Sequence, residues 1–297
     1  MSSENNKKTI QDCYSSWGLT YYDEYYKSRN NYPPVHLKLV KDLIKKSKAK
    51  TLLDVGCGPA SMLRELFPLK LDCYGFDLTK EMINEGRKIF KINNLDETKI
   101  WKGCATKKDS YKKKLKKYDS IISFGVFPHL TDAEENIVLN NIKSVLKPKG
   151  IILVEARNSL FSMFTQNRYT SDFLRNELLG FKDSKINCDL KEIDLILKKI
   201  EKNFNMKEPE IRNAKDGVSG YDQILSKTNN PFILKKKFEA LGFKKVNILF
   251  YHFHAFPPMY QKQIPKTFVK RSLELEDPYD WRGFFLASAF VIFAKNE

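Results

Sequence analysis

The chain has 297 residues, 42% of them hydrophobic, and its 52 Lys and Arg against 36 Asp and Glu give a formal charge of +16. That length and apolar content suffice for one large core, or a core with an inserted subdomain, without disulfide or metal staples. No stretch approaches the roughly 18 apolar residues of a membrane span, and Met1 to Gln11 lacks an apolar signal segment, which excludes a membrane-spanning class and predicts a cytoplasmic protein.

In chain order, Trp17-Gly18 and the tyrosine-rich run Tyr21-Tyr22-Asp23-Glu24-Tyr25-Tyr26 come first. Short apolar runs bounded by charged or turn residues follow at Thr51 to Val55, Leu71 to Phe76, Tyr118 to Phe124 and Ile151 to Glu155, with a weaker one at Lys99 to Lys102. Each is too short for a helix and has the character of a buried parallel strand. Helix-like segments lie between them at Met62 to Leu66, Lys80 to Ile92 and Asp132 to Leu146, the last with Ile137, Val138, Asn141, Ile142 and Val145 forming a stripe at helical spacing. Such alternation predicts an α/β fold with a Rossmann-like, doubly wound and mostly parallel sheet.

The alternation stops after Glu155. From Ala156 to about Pro231 the chain reads as helices and loops, with an amphipathic helix at Leu190 to Ile200 and turn signals at Asp216-Gly217 and Asn229-Asn230-Pro231. Residues 157–231 are therefore expected to be a helical insertion. A helix from Phe232 to Leu241, stopped by Gly242, leads into a strand at Lys245 to His254, a polar loop with Pro257-Pro258, and a last strand at Leu286 to Ala294. Two strands in succession with no helix between them predict an antiparallel hairpin that completes seven strands, so that 1–156 and 232–297 form the core.

The segment Leu52-Leu53-Asp54-Val55-Gly56-Cys57-Gly58-Pro59-Ala60 carries the most information. A strand entering Gly-x-Gly must turn sharply, and the missing side chains let a ligand lie against backbone N–H groups at the start of the next helix. Pro59 suits the first helical turn. Asp54 stands two residues before Gly56, Ser61 replaces the third glycine of a dinucleotide fold, and Asp77 ends the next strand. A carboxylate at that tip can accept both hydroxyls of a ribose. The plainer readings are a helix cap for Asp77 and a loop cap for Asp54.

On these residues the chain resembles class I S-adenosylmethionine-dependent methyltransferases, over most of the sheet. The resemblance implies that Asp54, Gly56, Cys57 and Gly58 hold the methionine end of S-adenosylmethionine, that Asp77 binds its ribose, and that Leu78 and Met82 flank its adenine. Two further segments match: Tyr118 to Leu130, like the family's fourth strand and the loop after it, with Phe124, Gly125 and Val126 at the cofactor, and Leu146-Lys147-Pro148-Lys149-Gly150, like the turn before the fifth strand. The terminal hairpin, Lys245 to Ala294, also matches. Residues 1–35 are similar to the family's N-terminal segment that closes over the cofactor, with Tyr25 toward the cofactor and Tyr22 toward the acceptor; simple helix packing of the tyrosines is the other reading. One departure stands out: Gly103-Cys104-Ala105-Thr106 follows the third strand with no acid before Asp109, so the backbone near Cys104 and Ala105 is expected to meet the adenine.

Methyl transfer from an activated donor requires alignment above all, and a base helps when the acceptor is a hydroxyl. His252 and His254 lie two apart in a strand, so they share a face, and either can serve as base or merely line the loop. His129 in the Phe-Pro-His-Leu string is the third candidate. A metal at His252 and His254 lacks further ligands, and none is expected. The insertion is expected to cap the acceptor, with Arg157, Asn158, Arg168 and Tyr169, together with Glu155 and nearby Phe161, Phe164, Asn167 and Arg175, suited to a sugar, phosphate or carboxylate.

The five cysteines, Cys13, Cys57, Cys73, Cys104 and Cys188, show no CxxC pair and no zinc-type spacing, which fits a reducing compartment. The positive charge favours anionic partners, yet the lysines are spread along the chain, and the runs Lys107 to Lys117 and Lys235 to Lys237 read first as solvated surface. The expected partner is a small-molecule acceptor, methylated on oxygen, with a sugar, glycan precursor or secondary metabolite first and N-methylation next. The rivals are an RNA methyltransferase, favoured by charge but without an RNA-binding module, an NAD(P)-binding oxidoreductase, opposed by Ser61 and the hairpin, and an inactive cofactor-binding protein.

Overall fold

A computed structural model describes residues 3–17, 20–27, 32–178, 190–207, 220 and 223–297. Gly18 and the Asp216-Gly217 turn lie outside the described residues.

Two helices precede the first strand, α1 (Ser3–Ser15) and α2 (His36–Ser47). The second forms because Leu39, Val40, Leu43 and Ile44 make one buried stripe, and it ends at Lys48 in the left-handed region, φ 57°. The strands are β1 (Thr51–Val55), β2 (Asp72–Asp77), β3 (Ile100–Lys102), β4 (Tyr118–Ser123), β5 (Leu146–Arg157), β6 (Lys244–Phe253) and β7 (Ala287–Lys295), and they form one sheet in the order β3-β2-β1-β4-β5-β7-β6. Strand β1 pairs in parallel with β2, Leu53 opposite Tyr74, and with β4, Leu53 opposite Ile121. The pairs β2–β3 and β4–β5 are parallel as well. Against β5 the chain direction reverses: Lys149 N–H donates to Asn296 O, whereas nine residues on Asn158 N–H donates to Ser288 O, eight residues back. The fold is thus the expected mostly parallel, seven-stranded Rossmann-like sheet with antiparallel terminal strands.

Between the strands lie α3 (Ser61–Leu66), α4 (Lys80–Ile92) and α5 (Asp132–Val145). Helix α5 starts with a capping box, in which Thr131 Oγ1 accepts from Glu134 N and Glu134 Oε2 accepts from Thr131 N. Further on come α6 (Arg168–Phe173), α7 (Leu190–Glu201), α8 (Pro231–Ala240), α9 (Pro265–Leu273) and α10 (Gly283–Leu286). Helix α8 follows from Asn230 as cap and Pro231 at its first position. The β6–β7 connection was expected to be a polar loop; it contains α9 and α10, with Pro265 opening α9 and Phe268 buried in it.

The described residues cluster into two compact units, 1–157 with 212–249 and 290–297, and 158–211 with 250–289. In the first, strand order reverses between β1 and β4, the point where parallel α/β sheets open a ligand crevice beyond their carboxyl ends. In the second, Asn158 Nδ2 donates to the carbonyls of Gly283, Phe284 and Ala287, and Arg175 bonds Asp194 at 2.7 Å and Glu201 at 2.8 Å. No described helix is long and apolar enough to cross a membrane.

Candidate active site

After Val55 the chain turns through Gly56, φ 79°, and Gly58, φ 51°; after Ser123 it turns through Gly125, φ 72°. The amides of Gly56 and Cys57 both donate to Phe76 O, at 2.9 and 3.0 Å, which ties this loop to the end of β2. A Cβ on Gly56 would lie 2.2 Å from Val126 Cγ2, whereas one on Gly58 would meet nothing within 4 Å. The first glycine lets two loops touch; the second leaves bare backbone facing open space.

That space is a cavity with about 850 Å³ of empty volume, open mouth included. Of the residues singled out from the sequence, Gly56, Gly58, Asp77, Leu78 and Met82 line it, as do Cys104, Ala105, Phe124, Gly125, Val126 and His129. Asp77 Oδ2 accepts from Gly58 N at 3.0 Å and Oδ1 from Thr79 N at 2.8 Å. Burial raises its pKa, and these amide donors hold the rise in check. Asp54 is buried in β1, its pKa pushed well above the carboxylate range by burial and then by the Asp77 charge. The Cys57 side chain sits away from the cavity lining, against Gly75, where burial drives its thiol pKa well up. Glu155 Oε2 accepts from Gly125 N at 2.6 Å and so braces the loop after β4.

The tyrosine run divides four ways. Tyr25 is 47% exposed and packs on Tyr21 and Trp17, Tyr22 donates its hydroxyl to Glu65 at 2.8 Å, and Tyr21 lines the cavity. Tyr26, half-buried, faces carboxylates of the first unit. Burial and the carboxylates of Asp54, Glu65 and Glu155 raise its phenol pKa, and its ring meets His36, which stacks on Phe124 with centroids 5.8 Å apart. Within the run Tyr26 was given no role of its own, because Asp23–Lys27 forms a π-helical turn whose facing a 3.6-residue period does not give; His36, at the start of α2, was not singled out.

Also missed were Asn6, Lys7, Ile10 and Tyr14 of α1, and Glu134 of α5, all on the cavity wall. Helix α1 is held there by Gln11 Nε2 donating to Leu78 O at 3.0 Å, Asn6 Nδ2 to His129 O at 3.3 Å, and Tyr14 Oη to His129 Nε2 at 2.8 Å. The last direction follows from the other side of the ring: Leu225 O, 2.6 Å from Nδ1, can only accept, so Nδ1 carries the proton and Nε2 accepts. Burial pushes the His129 pKa down to about 4. Because the unfolded ring binds its proton first, the stability held by the neutral ring is whole above pH 6.5 and is lost as pH falls toward 4. The difference in unfolding free energy between wild type and His129→Asn, from urea titrations, is expected to shrink by about 2 kcal/mol between pH 7 and pH 4.5. A difference independent of pH would refute this.

In the second unit, His252 and His254 have their rings 4.9 Å apart. His252 adopts φ 62°, its amide and that of Phe253 donate to Glu276, and its Nδ1 is 3.0 Å from Ser288 Oγ. His254 lies between Phe161 and Phe268. Burial lowers the His252 pKa to about 4; burial, then the neighbouring His252, lowers that of His254 well below 6.5. Arg168 stacks over the Tyr169 ring at 5.0 Å. In the first unit Arg157 donates to Ser226 Oγ. Among the described residues, no group of three or more His, Cys, Asp or Glu could hold a metal ion.

A family model described as "Methyltransferase domain" matches residues 46–208, more than half of the chain. The chain belongs to this methyltransferase family. Among solved structures it is similar to the CurJ carbon methyltransferase, with TM-score 0.52 and 15% identity over 95% of this chain and 59% of that one. It is also similar to magnesium protoporphyrin IX methyltransferase from Synechocystis PCC 6803, solved with bound SAH, with TM-score 0.50 and 13% identity over 98% and 100% of the two chains. A SAM-dependent methyltransferase from Archaeoglobus fulgidus matches at TM-score 0.46 and 17% identity over 93% and 97%. No curated protein matches the chain.

Proposed function

We propose that this chain transfers a methyl group from S-adenosylmethionine to a small polar or anionic acceptor, most often a hydroxyl of a sugar, glycan precursor or secondary metabolite. The observation that carries the reading is the wall of one cavity: a half-buried carboxylate, Asp77, beside a glycine, Gly58, whose Cβ position is open. An adenosyl group fits these residues. Its ribose hydroxyls suit Asp77, its base suits the apolar faces of Leu78 and Met82, and its methionine end suits the backbone around Gly56 to Gly58. The family's description and the SAH bound by the Synechocystis neighbour support the reading.

S-adenosylmethionine, when bound, supplies a methyl group already activated on a sulfonium. The protein's part is orientation and the fate of a proton. Asp54 is buried in β1 just before the glycine turn, and Glu155 fixes the Gly125 loop. His129, with both ring nitrogens bonded, is a positioning residue that docks Tyr14. His252 or His254, both in the second unit and with pKa values lowered by burial, is the proposed base for a hydroxyl acceptor. Arg168 and Tyr169 offer a guanidinium and a phenol to an anionic or sugar acceptor.

A screen of acceptors by mass shift with isotope-labelled methyl donor tests the reading. With an acceptor identified, Arg168→Ala should raise its KM by about ten-fold, the worth of one charge-assisted hydrogen bond, and leave S-adenosylhomocysteine affinity unchanged. Loss of S-adenosylhomocysteine affinity in that variant would count against the assignment.

A further inference from the structure

One end of the cavity changes character. Leu78, Met82, Leu130 and Ile10 give it apolar faces, and three polar side chains from three elements close its edge: Lys7 of α1, Thr106 after β3, and Glu134 of α5. Lys7 Nζ donates to Thr106 Oγ1 at 3.1 Å and pairs with Glu134 Oε1 at 3.3 Å. The other Glu134 oxygen, Oε2, already serves the cap, accepting from Thr131 N and Thr131 Oγ1. The main chain at this edge is engaged too. Cys104 N–H donates to Ser110 Oγ at 2.9 Å, and Ala105 O accepts from Tyr111 Oη and Asn141 Nδ2. At this edge of the cavity wall a Glu134 carboxylate oxygen and the Lys7 ammonium lie side by side, with the Glu134 side chain only 9% exposed.

We infer that Glu134 and Lys7 read the edge of an aminopurine in this slot, the carboxylate accepting an N–H of the exocyclic amine and the ammonium donating to the neighbouring ring nitrogen. The inference rests on the S-adenosyl reading of the cavity and goes beyond it by assigning base selectivity to the start of α5 and to α1, not to the exit of β3. An apolar slot with a donor–acceptor pair at its edge selects by pattern. Hypoxanthine inverts the pattern: its keto oxygen would face the carboxylate, and its ring N–H would face the ammonium. Both mismatches leave partly buried polar groups unpaired and are costly. Glu134 escapes a motif search because its spacing from Thr131 marks a capping box, which one of its oxygens does serve, while the other is turned to Lys7.

The test is calorimetric binding of S-adenosylhomocysteine and S-inosylhomocysteine to the full chain, for wild type, Glu134→Gln and Lys7→Met. Wild type should prefer the adenosyl compound by at least about ten-fold, and each variant should bring the preference below about three-fold, chiefly by weakening the adenosyl compound. Lys7→Met leaves the α5 cap in place, so it answers the question even if Glu134→Gln folds poorly. A preference that both variants leave intact overturns the inference while the cofactor reading stands. A wild-type chain that binds neither compound overturns both.

Discussion

Asp77→Ala is expected to weaken S-adenosylhomocysteine binding by about 100-fold or more, the worth of two hydrogen bonds to a charged acceptor. Its carboxylate is placed by the end of β2 and anchored through the amides of Gly58 and Thr79, so it has one geometry to offer a ribose. The variant also leaves those two amides without their acceptor, which should lower the unfolding midpoint by a few degrees without abolishing cooperative unfolding. Asp77→Asn sharpens the test. Its amide oxygen can still accept from one of the two N–H groups, so most of the stability should return, whereas the NH₂ group loses the second acceptor position and affinity should stay low. Calorimetry and thermal melts on the same samples separate the two effects. Retention of affinity within three-fold in Asp77→Ala would mean that the cavity holds something other than an adenosyl group.

Buried Asp54 lies close enough to the Asp77 carboxylate for the two to repel, a pairing that favours a cationic donor on the proposed reading. Each carboxylate is taken from water at a cost, and the charge of Asp77 raises the pKa of Asp54 further. A positive group entering the crevice offsets that repulsion. The sequence displays this logic openly, since both acids lie at strand ends whose apolar runs, Thr51 to Val55 and Leu71 to Phe76, can only be buried strands. The same holds for the loop after β4, where Phe124, Gly125 and Val126 follow a run of apolar residues and do line the cavity. Elements with weaker patterning were harder to read. Helix α9 has only Phe268 and Ser272 buried among exposed lysines, so no stripe stands out in Pro265–Leu273. Helix α2 carries a clear stripe, Leu39, Val40, Leu43 and Ile44, and that stripe was the available signal. The contributions of Lys7, Tyr14 and Glu134 were illegible for another reason. They reach the site only through tertiary contacts across 99 and more positions, as from Lys7 to Thr106 and from Tyr14 to His129, and no local spacing encodes such contacts.

Gly56→Ala is expected to cost more stability than any other single methyl added to the β1–α3 loop, about 2 to 5 kcal/mol, from left-handed strain of about 1–2 kcal/mol and overpacking of about 1–3 kcal/mol. The new Cβ, at φ 79°, would lie 2.2 Å from Val126 Cγ2, so one of the two loops must move. Both loops line the cavity, and S-adenosylhomocysteine affinity should therefore fall with stability. Gly58→Ala provides the contrast. At φ 51° it carries comparable strain, but its Cβ meets nothing within 4 Å and points where a ligand would lie, so it should cost about 1 kcal/mol of stability and still impair binding. The double variant Gly56→Ala with Val126→Ala separates the two components of the Gly56 effect, since removing Cγ2 relieves the clash and leaves the dihedral strain. Urea unfolding should show it recovering about half of the loss. If Val126→Ala recovers nothing, the loops do not touch in solution as they do here, and the close approach of the β1 and β4 turns is not what shapes the crevice.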